Sequence, residues 1–438
     1  MADQKLSIQL LNHASVIITI GEIKMLCDPW FSGTCFEGGW GLKYDNSACL
    51  ELSKQCTHLW VSHFHTDYFH MPTLKEVAKV NPDIVVLGNH SFNFKIDEAI
   101  KRAGFKNVVP LYEREWMKLP GNVDIIRYPS TGIDNMLLIK TRDAVILNYN
   151  DCNLPFRAMK SLAKRFGKVD IMLNNYNHAG KLLDYPLPEA AEIQKQFKQN
   201  FIKQVDVFDP TFVIPFASHH YYKAKESQEQ NKSLLEFSEI VEADKRVVPL
   251  NIGETIEFDD HLKTSILPAP VQITENPMEV LERTKHVAFE ELSREFDVYS
   301  QKLRSSFLHL TFWVPELLVK VEDLDTILSV SINKGLTKVD DRAAEYHIVT
   351  TSEALHVWFG KLYGTDGFWI GAHFDIDSRK TFPLRWQLLI GLLTENKLDF
   401  MSMIRMIFSA EGLKFLFCRR EEILAVILGF NFQVGSRK

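Results

Sequence analysis

Between residues 5 and 30 the chain passes through three short alternating segments, "SIQLL", "SVIITI" and "IKMLCDPW", with a turn at Gly21–Glu22. A period of two in segments this short is the pattern of paired strands. After a mixed stretch, Thr57 to Val61 is apolar and β-branched and reads as a buried strand. "TLKEVAKVN" follows as an amphipathic helix with Pro72 in its first turn. Then come "IVVLG" (strand), "KIDEAIKRAG" (helix closed by Gly104) and "NVVPLY" (strand). A second strand-rich run opens with "VDIIRYPS", "MLLIKT" and "AVILNYND". Helices are expected over 156–166 and 188–208, with "FVIPFA" and "VVPLNIGETIEF" closing this half. Two strand-rich halves, each with its own helices, predict a four-layer α/β sandwich. A doubly wound sheet would alternate strand and helix without a break.

The 438 residues leave room for a second unit. Composition turns loop-like at "LPAPVQITENP", so we expect a metal-binding domain over 1–265 and an α+β, largely helical region over 280–438. In that region "EVLERTKHVAFEELSREF" reads as helix, and "AEYHIVTT" and "FWIGAHFDI" as strands. The apolar stretches "WQLLIGLL" and "EEILAVILGF" are too short to span a bilayer. They fit helical faces buried in a core or in a subunit interface, which makes a homodimer through this region one expectation. A net charge of −6 offers no electrostatic footprint for nucleic acid. Six scattered cysteines, with no Cys-x-x-Cys pair, suit free thiols in a reducing cytoplasm. No secretory leader is expected, since "MADQKLSIQL" has neither an apolar core nor a cleavage site.

The chemistry concentrates in "VSHFHTDYFH", residues 61–70, on the turn leaving a buried strand. His63 and His65 share a face if the backbone stays extended, so both imidazoles reach one ion. Asp67 continues the spacing. The alternative is a satisfied polar turn. Imidazole suits zinc, iron and copper, and a carboxylate hardens the site. Asp151, in "NYNDC" after an apolar strand, is a further ligand candidate, as is His219 in "PFASHHYY". His70 and His178 qualify if their loops fold inward. His13 and His58 are weaker candidates, and His90, His347, His356 and His373 read as structural.

The segment resembles the first motif of the metallo-β-lactamase superfamily, His-x-His-x-Asp-His. More narrowly, "HASVIITI…DPWFSGTCFEGGW", "SHFHTDYFHMPTLKEV", "VILNYNDCNLP", "PTFVIPFAS" and "FWIGAHFD" are similar to the CMP-N-acetylneuraminate hydroxylase branch. The resemblance implies a four-layer αββα sandwich, with a metal cleft at the sheet edges and Asp151 as the bridging aspartate. Two departures stand out. Tyr68 occupies the place of the motif's last histidine, and "YPSTGIDNMLLI" offers Ser130, Thr131 and Asp134 where a ligand histidine is usual.

Two histidines with one or two carboxylates match the face that holds non-haem iron with open positions. The first reading is therefore a mono- or di-iron oxygenase acting on a small polar substrate. The chain has no Cys-x-His…Cys-x-x-His pattern for a Rieske cluster, so electrons would come from an external donor, a co-substrate or the substrate itself. The second reading is a zinc hydrolase of a lactone, amide or phosphodiester, with Asp67 orienting or deprotonating a metal-bound water. The third is a degenerate, non-catalytic scaffold. Tyr68 either serves the chemistry beside Asp67 or packs so as to close a second metal position. The aromatic loop "DPWFSGTCFEGGW" forms a wall, or a lid hinged at Gly38 and Gly39. Arg157, Lys160 and Lys181 are candidates to hold a phosphate or to lie solvated on the surface. No P-loop, dinucleotide-binding or GxSxG motif occurs.

Overall fold

Alternation along the strands assigns successive side chains to opposite sheet faces, and those faces build the architecture. The structure is a computed structural model describing residues 5–90, 96–130, 133–183, 188–259, 261–311, 314–340, 345–377, 381–391, 404, 407–418 and 420. In the first half β1 (Leu6–Asn12), β2 (Ser15–Ile20) and β3 (Ile23–Cys27) form an antiparallel meander. Next to it lie three parallel strands, β4 (His58–Trp60), β5 (Val85–His90) and β6 (Asn107–Tyr112). Helices α1 (Met71–Val80) and α2 (Asp97–Ala103) make the two crossovers between these strands. Gly104 ends α2 at φ 113°, a left-handed conformation that favours glycine.

The second half contributes β7 (Trp116–Leu119), β8 (Val123–Pro129), β9 (Asn135–Lys140), β10 (Val145–Asn150), β11 (Ile171–Asn175) and β12 (Phe212–Phe216). These six strands form one sheet in sequential order. Helices α3 (Phe156–Phe166) and α4 (Ala190–Phe208) join its parallel strands. The chain then returns as β13 (Thr255–Phe258) and β14 (Thr264–Leu267) to the edge of the first sheet, giving the order β14-β13-β1-β2-β3-β4-β5-β6.

Face by face, the layers follow. Ile8, Leu10, Ile18 and Met25 from one sheet meet Ile125, Leu137, Ile139, Ile146 and Leu173 from the other in a shared core. Their neighbours Leu11, Ile17, Leu26 and Val86 point outward and pack on Leu74, Val77 and Ile100 of the first helix pair. Ile126, Leu138 and Leu147 likewise pack outward on Ala158, Met159 and Phe208. Helix, sheet, sheet, helix is the order of an αββα sandwich.

Beyond residue 288 a separate hydrophobic core forms around α5 (Phe289–Thr311). Its sheet contains β15 (Leu317–Val321), β16 (Thr326–Ser331), β17 (Gly335–Val339), β18 (Ile348–Thr350) and β19 (Asp375–Ile376). Helices α6 (Ser352–Gly360), α7 (Gly364–Ile370) and α8 (Leu384–Gly391) complete it. Three local expectations differ from what is found. The segment "FWIGAHFDI" is not one strand: its first three residues end α7, and only Asp375–Ile376 pair in the sheet. The helix expected from Glu279 begins at Phe289. In "WQLLIGLL", Trp386 and Leu389 are buried in this core, whereas "EEILAVILGF" lies outside the described residues. Among the described residues no helix is long and apolar enough to cross a membrane.

Candidate metal centre

The turn that leaves β4 is held at one peptide. The Ser62 N–H donates to Asp28 Oδ1 at 2.7 Å, and the Ser62 carbonyl accepts from the Asn135 amide at 2.9 Å and from Asn89. Asn135 is itself fixed by the buried Arg127 guanidinium, whose Nη1 donates to its Oδ1. The backbone beside His63 therefore has little freedom. His63 is 2% exposed. Its Nδ1 lies 2.9 Å from Ser62 Oγ, and its Nε2 lies 2.8 Å from His65 Nδ1. Burial, then the neighbouring His65, pushes the His63 pKa down, so the imidazole stays neutral, with one ring nitrogen carrying a proton and the other able to ligate.

Two carboxylates reach this imidazole pair from the facing sheet. Asp134 comes from the β8–β9 connection, its Oδ1 3.5 Å from His63 Nε2 and 3.9 Å from His65 Nδ1. Asp151 follows β10 where Asn150 takes φ 60°, and its Oδ2 lies 3.8 Å from His63 Nε2. One ligand atom from each of His63, His65, Asp134 and Asp151 falls within 4.8 Å of all the others. Asp151 Oδ1 is buried with no hydrogen-bond partner. A buried polar atom in that state is costly unless something neutralises it. Two imidazoles and two carboxylates converging on one point, one with an orphaned oxygen, fit a divalent cation; zinc and non-haem iron both accept this donor set.

Asp67 turns away from that point. Its Oδ2 lies 3.2 Å from His13 Nε2, in a pair almost wholly buried. Burial lifts the Asp67 carboxyl to about 8 and lowers His13 to about 3, so near neutral pH the pair is a carboxylic acid beside a neutral imidazole. Tyr68 is 1% exposed; its ring centroid sits 4.2 Å from that of His63, and its phenol lies near enough to Asp151 to lower that carboxyl's pKa. Burial, then the charge of Asp67, raises Asp151 to about 7.

The other histidines singled out in the sequence lie outside the group of four. His70 caps α1, where its side chain accepts from the Thr73 N–H. His178 contacts Ser233 Oγ at 2.9 Å and the Tyr222 hydroxyl at 2.8 Å, with its ring stacked on Tyr222. His219 is buried between the rings of Tyr44 and Tyr176. His58 Nδ1 lies 2.8 Å from Thr57 Oγ1. Arg157 and Lys160 lie exposed on α3, and Lys181 pairs with Asp375 at 3.0 Å. Thr131 is outside the described residues. Sequence reasoning gave Asp134 and His13 too little weight. Both occupy turns directly beside strands, and that position was the signal available.

The aromatic loop after β3 is pinned as a wall. Phe36 N–H donates to Thr66 Oγ1 at 2.9 Å, and its ring lies edge-on to His65 at 6.1 Å. From the C-terminal unit, His373 Nε2 meets the Phe36 carbonyl at 2.9 Å and Arg283 donates to the Glu37 carbonyl at 2.6 Å. The Trp40 indole donates to the Ile370 carbonyl at 3.0 Å. Gly39 is no hinge: a Cβ there would stand 2.3 Å from the Gly371 carbonyl oxygen.

No protein-family model matches the chain. Among curated proteins, the human inactive cytidine monophosphate-N-acetylneuraminic acid hydroxylase is 27% identical over 211 residues, 46% of this chain and 40% of the relative. The Danio rerio cytidine monophosphate-N-acetylneuraminic acid hydroxylase is 24% identical over 236 residues, 49% of this chain and 38% of the relative. The chain thus spans well under half the length of these relatives, and its likeness to them runs to the hydroxylase branch whose segments it resembles. Among solved structures, the diiron β-hydroxylase CmlA from Streptomyces venezuelae aligns with a TM-score of 0.39 and 17% identity, covering 56% of this chain and 50% of that one.

Proposed function

We propose that the chain is a metal-dependent oxygenase that hydroxylates a small polar substrate at an iron held by His63, His65, Asp134 and Asp151. The observation that carries this reading is the convergence of those four donor groups within 4.8 Å. The sequence likeness to a hydroxylase supports an oxygen-inserting reaction, which calls for a redox-active metal, and iron suits this donor set. Bound there, iron would supply the redox chemistry with dioxygen that no side chain can supply alone.

The chain's own residues do the rest. Asn135, Asn89 and Asp28 fix the turn that carries His63. The Tyr68 phenol lies against Asp151 and favours its ionised form. Phe36 and Trp40, packed against one another, shield one side of His65 from water. The Asp67–His13 pair stores a proton beside the centre. Reduction of dioxygen during hydroxylation consumes two further electrons, which the proposal draws from an external donor, a co-substrate or the substrate itself. Cytoplasmic residence and pairing through the C-terminal unit are part of the same proposal.

The same set of two imidazoles and two carboxylates accepts zinc, which makes a zinc hydrolase the second reading. Anaerobic loading with Fe(II) or with Zn(II) separates the two. The oxygenase reading expects reductant-dependent oxygen uptake, with 18O from dioxygen appearing in an acidic-sugar or nucleotide-sugar substrate, from the iron form alone. Turnover of lactones or phosphodiesters by the zinc form, without oxygen uptake by the iron form, would replace it. A protein that takes up neither ion would leave only a scaffold.

A further inference from the structure

Resting on the metal-centre reading above, we infer that this site holds one ion, and that Tyr68 and the Asp67–His13 pair fill the place where a second would sit. A second ion next to the first needs a bridging carboxylate and two or three more donors on its far side. The bridging role would fall to Asp151, but the buried Tyr68 phenol already lies against that carboxylate. Tyr68 cannot swing out cheaply, being 1% exposed with its ring packed on His63.

The additional donors would have to come from Asp67, His13, His219 and His220. Asp67 gives Oδ2 to His13 Nε2, and its Oδ1, though buried without a partner, falls within no group of three ligand atoms among the described residues. His220 lies flat on the Trp40 indole, with ring centroids 4.0 Å apart and 15° between planes. His219 is turned into the Tyr44–Tyr176 aromatic pocket. Among the described residues no three ligand atoms from these four side chains come within 4.8 Å of one another, whereas the His63 group achieves this with four. Nitrogen atoms of His13, His219 and His220 remain without hydrogen-bond partners, and although the His13 and His220 rings lie 5.3 Å apart, no three ligand atoms of the set form a group. The phenol and the acid–imidazole pair thus make a closed wall on the side where the centre would otherwise extend.

The test is a stoichiometric titration of the full chain, made metal-free, with Fe(II) under anaerobic conditions and separately with Zn(II), read by elemental analysis after gel filtration. It is run on wild type and on Glu295→Gln, because the more exposed Glu291–Glu295–His356 group could hold an ion of its own. One equivalent in Glu295→Gln is expected, unchanged in His219→Ala and His220→Ala and lost in His63→Ala. Two equivalents in Glu295→Gln, one of them lost on adding His219→Ala or His220→Ala, would overturn the single-ion inference while leaving the metal centre standing. No bound ion in wild type would sink the metal-centre reading itself.

Discussion

Each carboxylate at the centre stands in a different balance between burial and charge, and that balance sets how the site responds to pH. Burial holds Asp151 at about 7 and Asp67 at about 8, far above the ~3.9 of an unfolded chain. Between those values the folded, metal-free protein keeps protons that the unfolded chain has released. Taken alone, these two carboxyls make the metal-free form lose stability as pH rises from about 4 to about 8. The buried histidines, His13 at about 3 among them, act in the opposite sense up to about 6.5, so the net fall is expected between about 6.5 and 8. A cation needs Asp151 ionised, so binding releases a proton below about 7 and affinity weakens toward acid. Competition titrations at pH 6 and pH 8 should show the tighter binding at pH 8; equal affinities would mean that Asp151 is not a ligand. His63→Ala should abolish binding with a small change in melting temperature, since the residue lies on a turn and not between the sheets. Asn135→Ala is a subtler probe: it strands the Arg127 Nη1 and loosens the Ser62 carbonyl. It should lower metal affinity by roughly 10–100-fold, in line with outer-shell losses elsewhere, as read by the same titration. His63 and His65 were legible in the sequence because their spacing alone puts two imidazoles on one face. Asp134 was named only as one of three polar residues where a ligand histidine is usual, because its partners lie across the sandwich on the other sheet and no local pattern encodes that approach.

The elements were the most legible level wherever one face is buried and the other packs a helix. Strong alternation in "SVIITI" and "MLLIKT" reports the two sides of a sheet, since each strand feeds the inter-sheet core and an outer helical layer at once. Removing a side chain from the inner layer should cost heavily. Ile146→Ala, at a fully buried inter-sheet position, is expected to lose about 2–5 kcal/mol in denaturant unfolding. The aromatic loop after β3 shows why connections are harder to read. Its paired glycines suggest a hinge by composition, but Gly39 is glycine because the Gly371 backbone passes too close for any side chain. Gly39→Ala should therefore separate the two segments and raise amide exchange over 34–42. Unchanged exchange there would mean that the close approach does not hold the loop. The first residues of "FWIGAHFDI" were misread for a related reason: aromatic content suggests a strand, while tertiary packing of Phe368 and Trp369 against Trp358 keeps them helical.

At the scale of the whole molecule, two hydrophobic cores meet along a polar seam. The seam carries the Lys181–Asp375 pair, the Arg283–His373 contacts and the hydrogen bonds onto residues 36–40. All four ligand candidates come from the first 151 residues, yet the wall over His65 is shaped by groups beyond residue 280. Metal addition should raise the melting temperature of the intact chain, because an ion that binds only the folded state adds its binding free energy to stability. A cut near residue 265, which the composition invites, would bare the Phe36 and Glu37 carbonyls, the Trp40 indole and the apolar cluster that includes Ala372. Such a fragment should be sticky in solution and admit water to the histidine pair, so whoever trims this protein to its supposed catalytic half would discard one side of its reaction vessel.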